Sequence, residues 1–111
     1  MSEVERRRAE RIPIGLRVEF DSGTGLSRDV SGLGVYFETD NAEFEPGNGV
    51  RFTMFIPDAV NVACVGNVMR VDELEDDRFG VACTIDEFEL AEEGAEGATS
   101  HLIIDELKRH H

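Results

Sequence analysis

Apolar and polar positions alternate along most of this chain with a period of two. In residues 14–20, Ile14, Leu16, Val18 and Phe20 fall on one side and Arg17 and Glu19 on the other, the pattern of a half-buried strand. The glycine-bearing stretch 21–25 (DSGTG) reads as a turn, and 26–30 (LSRDV) as the returning strand. A kink at 31–34 (SGLG) leads into a third strand, 35–39 (VYFET). A loop over 40–49 then precedes a fourth strand at 50–57 that Pro57 closes. The valine-rich run 60–71 is a fifth strand with Gly66 as its expected bulge or bend, and 78–88 (RFGVACTIDEF) is the sixth, reached through an acidic hairpin tip at 72–77. No helical pattern separates these strands. The pattern therefore predicts an all-β fold with a short C-terminal helix, its strands antiparallel and closed as a six-stranded β-barrel or stacked as a sandwich.

The two ends read differently. Residues 1–11 are charged and aperiodic, and they read as a flexible N-terminal arm that Pro13 separates from the barrel. Residues 12–88 are the barrel. From 89 to 111 the chain reads as a small-residue linker followed by an amphipathic helix, with Ile103, Ile104 and Leu107 on one face and Lys108 and Arg109 suited to its C-terminal dipole. At 111 residues the chain suits one domain with one core.

Charge narrows the choice of partners. The net charge is −13, which repels DNA, RNA and anionic lipid at long range. Arg6, Arg7, Arg8 and Arg11 nevertheless lie within six positions; taking those four away from the net −13 leaves −17 for the rest of the chain. A local cationic spot on an anionic protein suits a small anionic ligand better than a polymer. The start of the chain has no apolar segment of the secretory kind and no run long enough to span a membrane, so a cytoplasmic location without membrane insertion is expected. Cys64 and Cys83 each sit in an apolar run and read as buried, reduced thiols.

Two short motifs carry the chemistry. Arg7-Arg8-Ala9-Glu10-Arg11 is an RxxxR, and Asp29-Val30-Ser31-Gly32-Leu33-Gly34 is a DxSxxG, with one strand hairpin between them. In this order the pair resembles the PilZ family, whose members bind cyclic di-GMP. Residues 66–70 (GNVMR) look like the GxVxR of a later PilZ strand, and 79–83 (FGVAC) like the closing strand, so the resemblance covers roughly 6–88. It implies a PilZ-like barrel that binds the second messenger through Arg7, Arg11, Asp29, Ser31 and Gly34. It also implies two stacked ligand molecules per chain, because an arginine, Arg6, stands just before RxxxR, and it calls for no other cofactor and no metal.

The side-chain chemistry agrees. Guanine offers O6 and N7 as acceptors on one edge, which the planar arginine fork meets with two parallel hydrogen bonds. Its N1–H and N2–H donors suit an acceptor-only carboxylate such as Asp29. Ser31 suits a phosphate or base, and Gly32 and Gly34 are expected at close approaches and positive φ. Arg70 reads as a strand-surface residue.

Against this stand plainer readings of each part. The arginines alone are compatible with a solvated tail, and Asp29 and Ser31 with an ordinary turn. A catalytic set is not visible, since no histidine precedes His101, and His110 and His111 sit at the very end of the chain, where side chains are poorly held. The expected function is thus a non-enzymatic cyclic di-GMP receptor that changes conformation on binding and signals to an unidentified downstream protein. The alternatives are a PilZ-like adaptor that binds protein and no nucleotide, and an unrelated barrel for single-stranded nucleic acid. The last is disfavoured by net charge and by only eight aromatic residues.

Overall fold

The computed structural model describes residues 11–57, 61–91, Ile103 and 106–109. The strands are β1 (Arg17–Phe20), β2 (Gly23–Val30), β3 (Gly34–Thr39), β4 (Gly49–Phe55), β5 (Asn61–Glu73), β6 (Phe79–Thr84) and β7 (Glu87–Ala91). They pair in the order β4-β1-β2-β3-β6-β5, and β4 pairs with β5 to close the ring, so the expected six-stranded antiparallel barrel is present. Residues 106–109 are helical, and Leu107, like Ile103, is fully buried in the core.

Alternation explains the core. Val18, Val35, Phe37, Met54, Val62 and Val81 all face inward with almost no exposure. Phe37 lies at the centre, its ring centroid 5.5 Å from that of Phe20, 5.7 Å from Phe44 and 6.4 Å from Phe52. Truncating such a ring to alanine costs roughly 3–5 kcal/mol in lost transfer energy and cavity formation.

Three local features depart from the sequence pattern. The first hairpin turn is only Asp21-Ser22, because Gly23, Thr24 and Gly25 already pair with β1. Residues 14–16 lie beside β2 without forming a regular ladder. There the buried Ser27 hydroxyl accepts from Leu16 N at 2.7 Å and donates to Ile14 O at 2.6 Å in place of backbone partners. The expected last strand over 78–88 is two strands, β6 and β7, with a jog at Ile85-Asp86, and the second runs on to Ala91 through part of the expected linker. Both lie antiparallel to β5, β6 against its second half and β7 against its first. The jog crosses β5 at Gly66, where an added Cβ would come within 1.8 Å of Thr84 O. Gly66 therefore marks a close crossing; the bulge expected there lies three residues on, at Met69.

The acidic hairpin tip forms but is shorter than the expected 72–77, because Asp72 and Glu73 still pair with β6. Asp76 and Asp77 both have positive φ, 58° and 59°, and Arg78 N donates to Glu75 O at 3.3 Å, which fits the tight primed turns that match strand twist.

Cys64 and Cys83 are free and buried. Burial pushes each thiol from 9.0 up to about 12, and for Cys64 the neighbouring Cys83 adds to the shift. A thiol whose folded pKa is raised contributes stability that is intact below its unfolded pKa and is lost as pH climbs toward the folded one. The unfolding free energy read from urea denaturation is therefore expected to fall above about pH 9, by roughly 1.4 kcal/mol per thiol per pH unit, and to fall less in the Cys64→Ala/Cys83→Ala double variant. Equal pH slopes for the two proteins would show that the thiols ionise freely in the folded state.

Candidate functional site

A groove of about 830 Å³ lies on the outer face of β2, β3, β6 and β5. Two bulges make it. β2 takes an extra residue between Ser27 and Asp29, and β5 takes one between Val68 and Arg70. Each bulge turns two consecutive side chains outward, Arg28 with Asp29 and Met69 with Arg70, while Ser27, Val30 and Val68 stay buried. One outward row then crosses four strands: Asp29 pairs with Tyr36, Tyr36 with Ala82, and Ala82 with Arg70. Three strand spacings separate its ends, about 14 Å. The small Ala82 keeps the middle low, and Leu33 and Met69, 39% and 60% exposed, add apolar surface.

At one end stands Arg11. Its Nε donates to Asp29 Oδ1 at 2.9 Å, and its Nη2 lies 2.6 Å from the same oxygen. Both contacts use Oδ1, so Oδ2 has no partner among the described residues. Isolated bridges from Ile12 N to Val30 O at 2.7 Å and from Val30 N to Ile12 O at 3.0 Å deliver Arg11 to this place. The last arginine of RxxxR and the aspartate of DxSxxG, eighteen positions apart, thus meet on the lip of one groove.

Ser31 and Gly34 also line the groove. The Ser31 hydroxyl is buried and committed to its own turn: it accepts from Leu33 N at 3.2 Å and Gly34 N at 3.1 Å and lies 3.3 Å from Gly34 O. It shapes the backbone beside Asp29. Positive φ was expected at Gly32 and Gly34, but neither has it. Gly34 is needed for close packing instead, since a Cβ would come within 2.7 Å of Cys83 O. Arg6 and Arg7 fall outside the described residues.

The opposite end holds residues that the motifs do not include. Arg70 donates through Nε to Asp72 Oδ1 at 3.1 Å and Oδ2 at 3.3 Å, and its Cζ lies 5.8 Å from the Tyr36 ring centroid. Tyr36 OH donates to Asp72 Oδ2 at 3.2 Å. The bond to Arg70 holds the Asp72 carboxyl below its usual range. Burial, helped by Asp72, raises the Tyr36 phenol above 10.0. Arg70 is the strand-surface residue expected of it, and the surface is the wall of the groove. Alternation in 35–39 puts Tyr36 outward between two buried neighbours, which was the available signal for its place; nothing in the sequence foretold Asp72's partners.

A second depression of about 640 Å³ lies on the outer face of β1, β4, β5 and β7, with Glu19, Asp21, Glu87 and Glu89 among its residues, and it contains none of the motif residues. No group of three or more potential metal ligands occurs among the described residues.

No curated protein sequence matches the chain. Among solved structures, it is similar to the Bacillus subtilis inhibitor of motility MotI/DgrA, with a TM-score of 0.67 and 16% identity over 94% of this chain. The chain spans half the length of that protein. A family model described as the PilZ domain matches residues 5–95, and by that match, which takes in both motifs and all seven strands, the chain belongs to the PilZ family.

Proposed function

We propose that this PilZ domain is a non-enzymatic receptor for cyclic di-GMP that signals to a partner protein. PilZ domains are regulatory receptors or adaptors, and that much follows from family membership. The observation that carries the ligand is the meeting of Arg11 with Asp29 on the groove lip. This pair supplies the two halves of a guanine reader: guanidinium donors for O6 and N7, and a carboxylate with an open oxygen for N1–H and N2–H. The Ser31 turn and the side-chain-free Gly34 bring backbone close to the ligand beside them. Arg6 and Arg7, on the segment leading into Arg11, complete the site by closing over the bound dinucleotide. The closed segment and ligand form a new surface for the partner. The structural neighbour is named as an inhibitor of motility, in keeping with an output exerted on another protein. No helix among the described residues is long and apolar enough to cross a membrane, and the cytoplasm, where a nucleotide second messenger is made, is the proposed location.

Calorimetric titration of the chain with cyclic di-GMP is expected to give roughly micromolar affinity, about −8 kcal/mol. Arg7→Ala, Arg11→Ala and Asp29→Ala are each expected to weaken binding at least about tenfold with little change in Tm, because an exposed ion pair contributes only about 0–1 kcal/mol to folding. Wild-type affinity in all three variants would reject the site. No binding by the unmutated chain would favour the protein-binding adaptor, for which the exposed Leu33 and Met69 offer a contact surface.

The same titration is expected to show two ligand molecules per chain. Two stacked dinucleotides bring four phosphates together, and the extra guanidinium of Arg6 offsets their repulsion. Arg6→Leu should lower the stoichiometry toward one while preserving binding. A stoichiometry of one for the unmutated chain would refute the stacked pair alone.

A further inference from the structure

The end of the groove away from Arg11 has its own arginine–carboxylate unit. Both hydrogen bonds from Arg70 to Asp72 leave through Nε. The two terminal nitrogens, Nη1 and Nη2, form no hydrogen bond with a described residue, so the tip of the fork is open while its stem is held. Asp72 is held in turn by the Tyr36 phenol. That phenol lies over Gly80, where an added Cβ would come within 1.8 Å of the hydroxyl oxygen and 2.5 Å of the ring carbon bearing it. Gly80 is cross-strand to Glu38 and Asp72, so the phenol crosses it diagonally to reach the carboxylate. The chain of support runs from Gly80 to Tyr36 to Asp72 to Arg70.

We propose that Arg70 is a second guanine-reading arginine, and that Asp72 is the residue that positions it. The inference rests on the cyclic di-GMP reading above. A fork held at Nε presents two parallel N–H donors from Nη1 and Nη2. Guanine meets them with O6 and N7; adenine offers N7 but sets its N6–H₂ donor against the second, so the unit discriminates between the two purines. Cyclic di-GMP brings several guanines to the groove, two in each molecule of the stacked pair. A groove with one arginine–carboxylate unit at each end of a row about 14 Å long can read two of them at once. Lysine in place of Arg70 would supply charge without the fork.

The test is titration of the full chain with cyclic di-GMP and cyclic di-AMP. Arg70→Ala is expected to weaken cyclic di-GMP binding about tenfold, to leave cyclic di-AMP binding nearly unchanged, and so to narrow the preference between them. Arg70→Lys should not restore it. Asp72→Asn should weaken cyclic di-GMP binding by itself and add almost nothing in the Arg70→Ala background, as a residue acting through Arg70 must. Tyr36 is the only tyrosine and there is no tryptophan, so its ionisation can be followed by absorbance without ligand. Asp72→Asn should bring it back down toward 10.0. Recovery of affinity in Arg70→Lys would reduce the site to a seat for any anion and overturn guanine reading. Additive losses in the double variant, or an unmoved Tyr36 titration, would overturn the positioning role. Wild-type binding by Arg70→Ala while Arg11→Ala fails would overturn this inference and leave the receptor standing. An unmutated chain that binds no cyclic di-GMP would overturn both.

Discussion

An antiparallel strand shows its side chains alternately to its two faces, so one extra residue in a strand exchanges the faces of everything beyond it. β2 and β5 each take one such residue, and they do so at matching heights on either side of β3 and β6. Both outer strands thereby show two successive side chains to solvent and then return to the core in phase with their neighbours. Val30, Val35, Cys83 and Val68 can therefore share a buried row, while Asp29, Tyr36, Ala82 and Arg70 share an exposed one. Without the shift in β2, Asp29 would point into the barrel and face the cost of burying a charge without a partner.

Among the described residues, the arginine at each end of the groove, Arg11 and Arg70, has a carboxylate beside it. On a protein of net charge −13 that arrangement has a physical advantage. An unpaired cationic groove would attract any anion in proportion to its charge. Paired groups give a weaker field and a denser pattern of donors and acceptors, so selection falls on hydrogen-bonding shape rather than on charge. The partners also hold the long arginine side chains in one geometry before a ligand arrives, which lowers the ordering cost of binding.

Much of the barrel was legible because its strands bury one face and expose the other. Val18, Phe37, Met54 and Val62 follow from alternation alone. The irregularities were not legible, because they are set by contacts between distant strands. Nothing local in LSRDV announces that Arg28 and Asp29 leave on the same side. Gly66 was visible as a weak point in a long strand, but its use as a crossing place depends on Thr84, eighteen residues on. The ends of the site differ in the same way. Arg11 and Asp29 were found through their resemblance to paired motifs, which carry the tertiary information that periodicity lacks. Asp72 stands in an acidic stretch that read simply as a solvated tip, and its role depends on Tyr36, thirty-six residues earlier.

The crossing of Tyr36 over Gly80 bears on how this domain can diverge. In a β-sheet a glycine leaves a gap that a diagonal aromatic ring can cover, and the two positions then constrain one another. Position 80 cannot gain a side chain while 36 keeps its ring, and position 36 cannot lose its ring without exposing the strand backbone at 80. Related domains should accordingly change the two positions together or leave both alone. Such a covarying pair would lie outside both motifs and would separate a subgroup with an aromatic-backed groove wall from one built in another way.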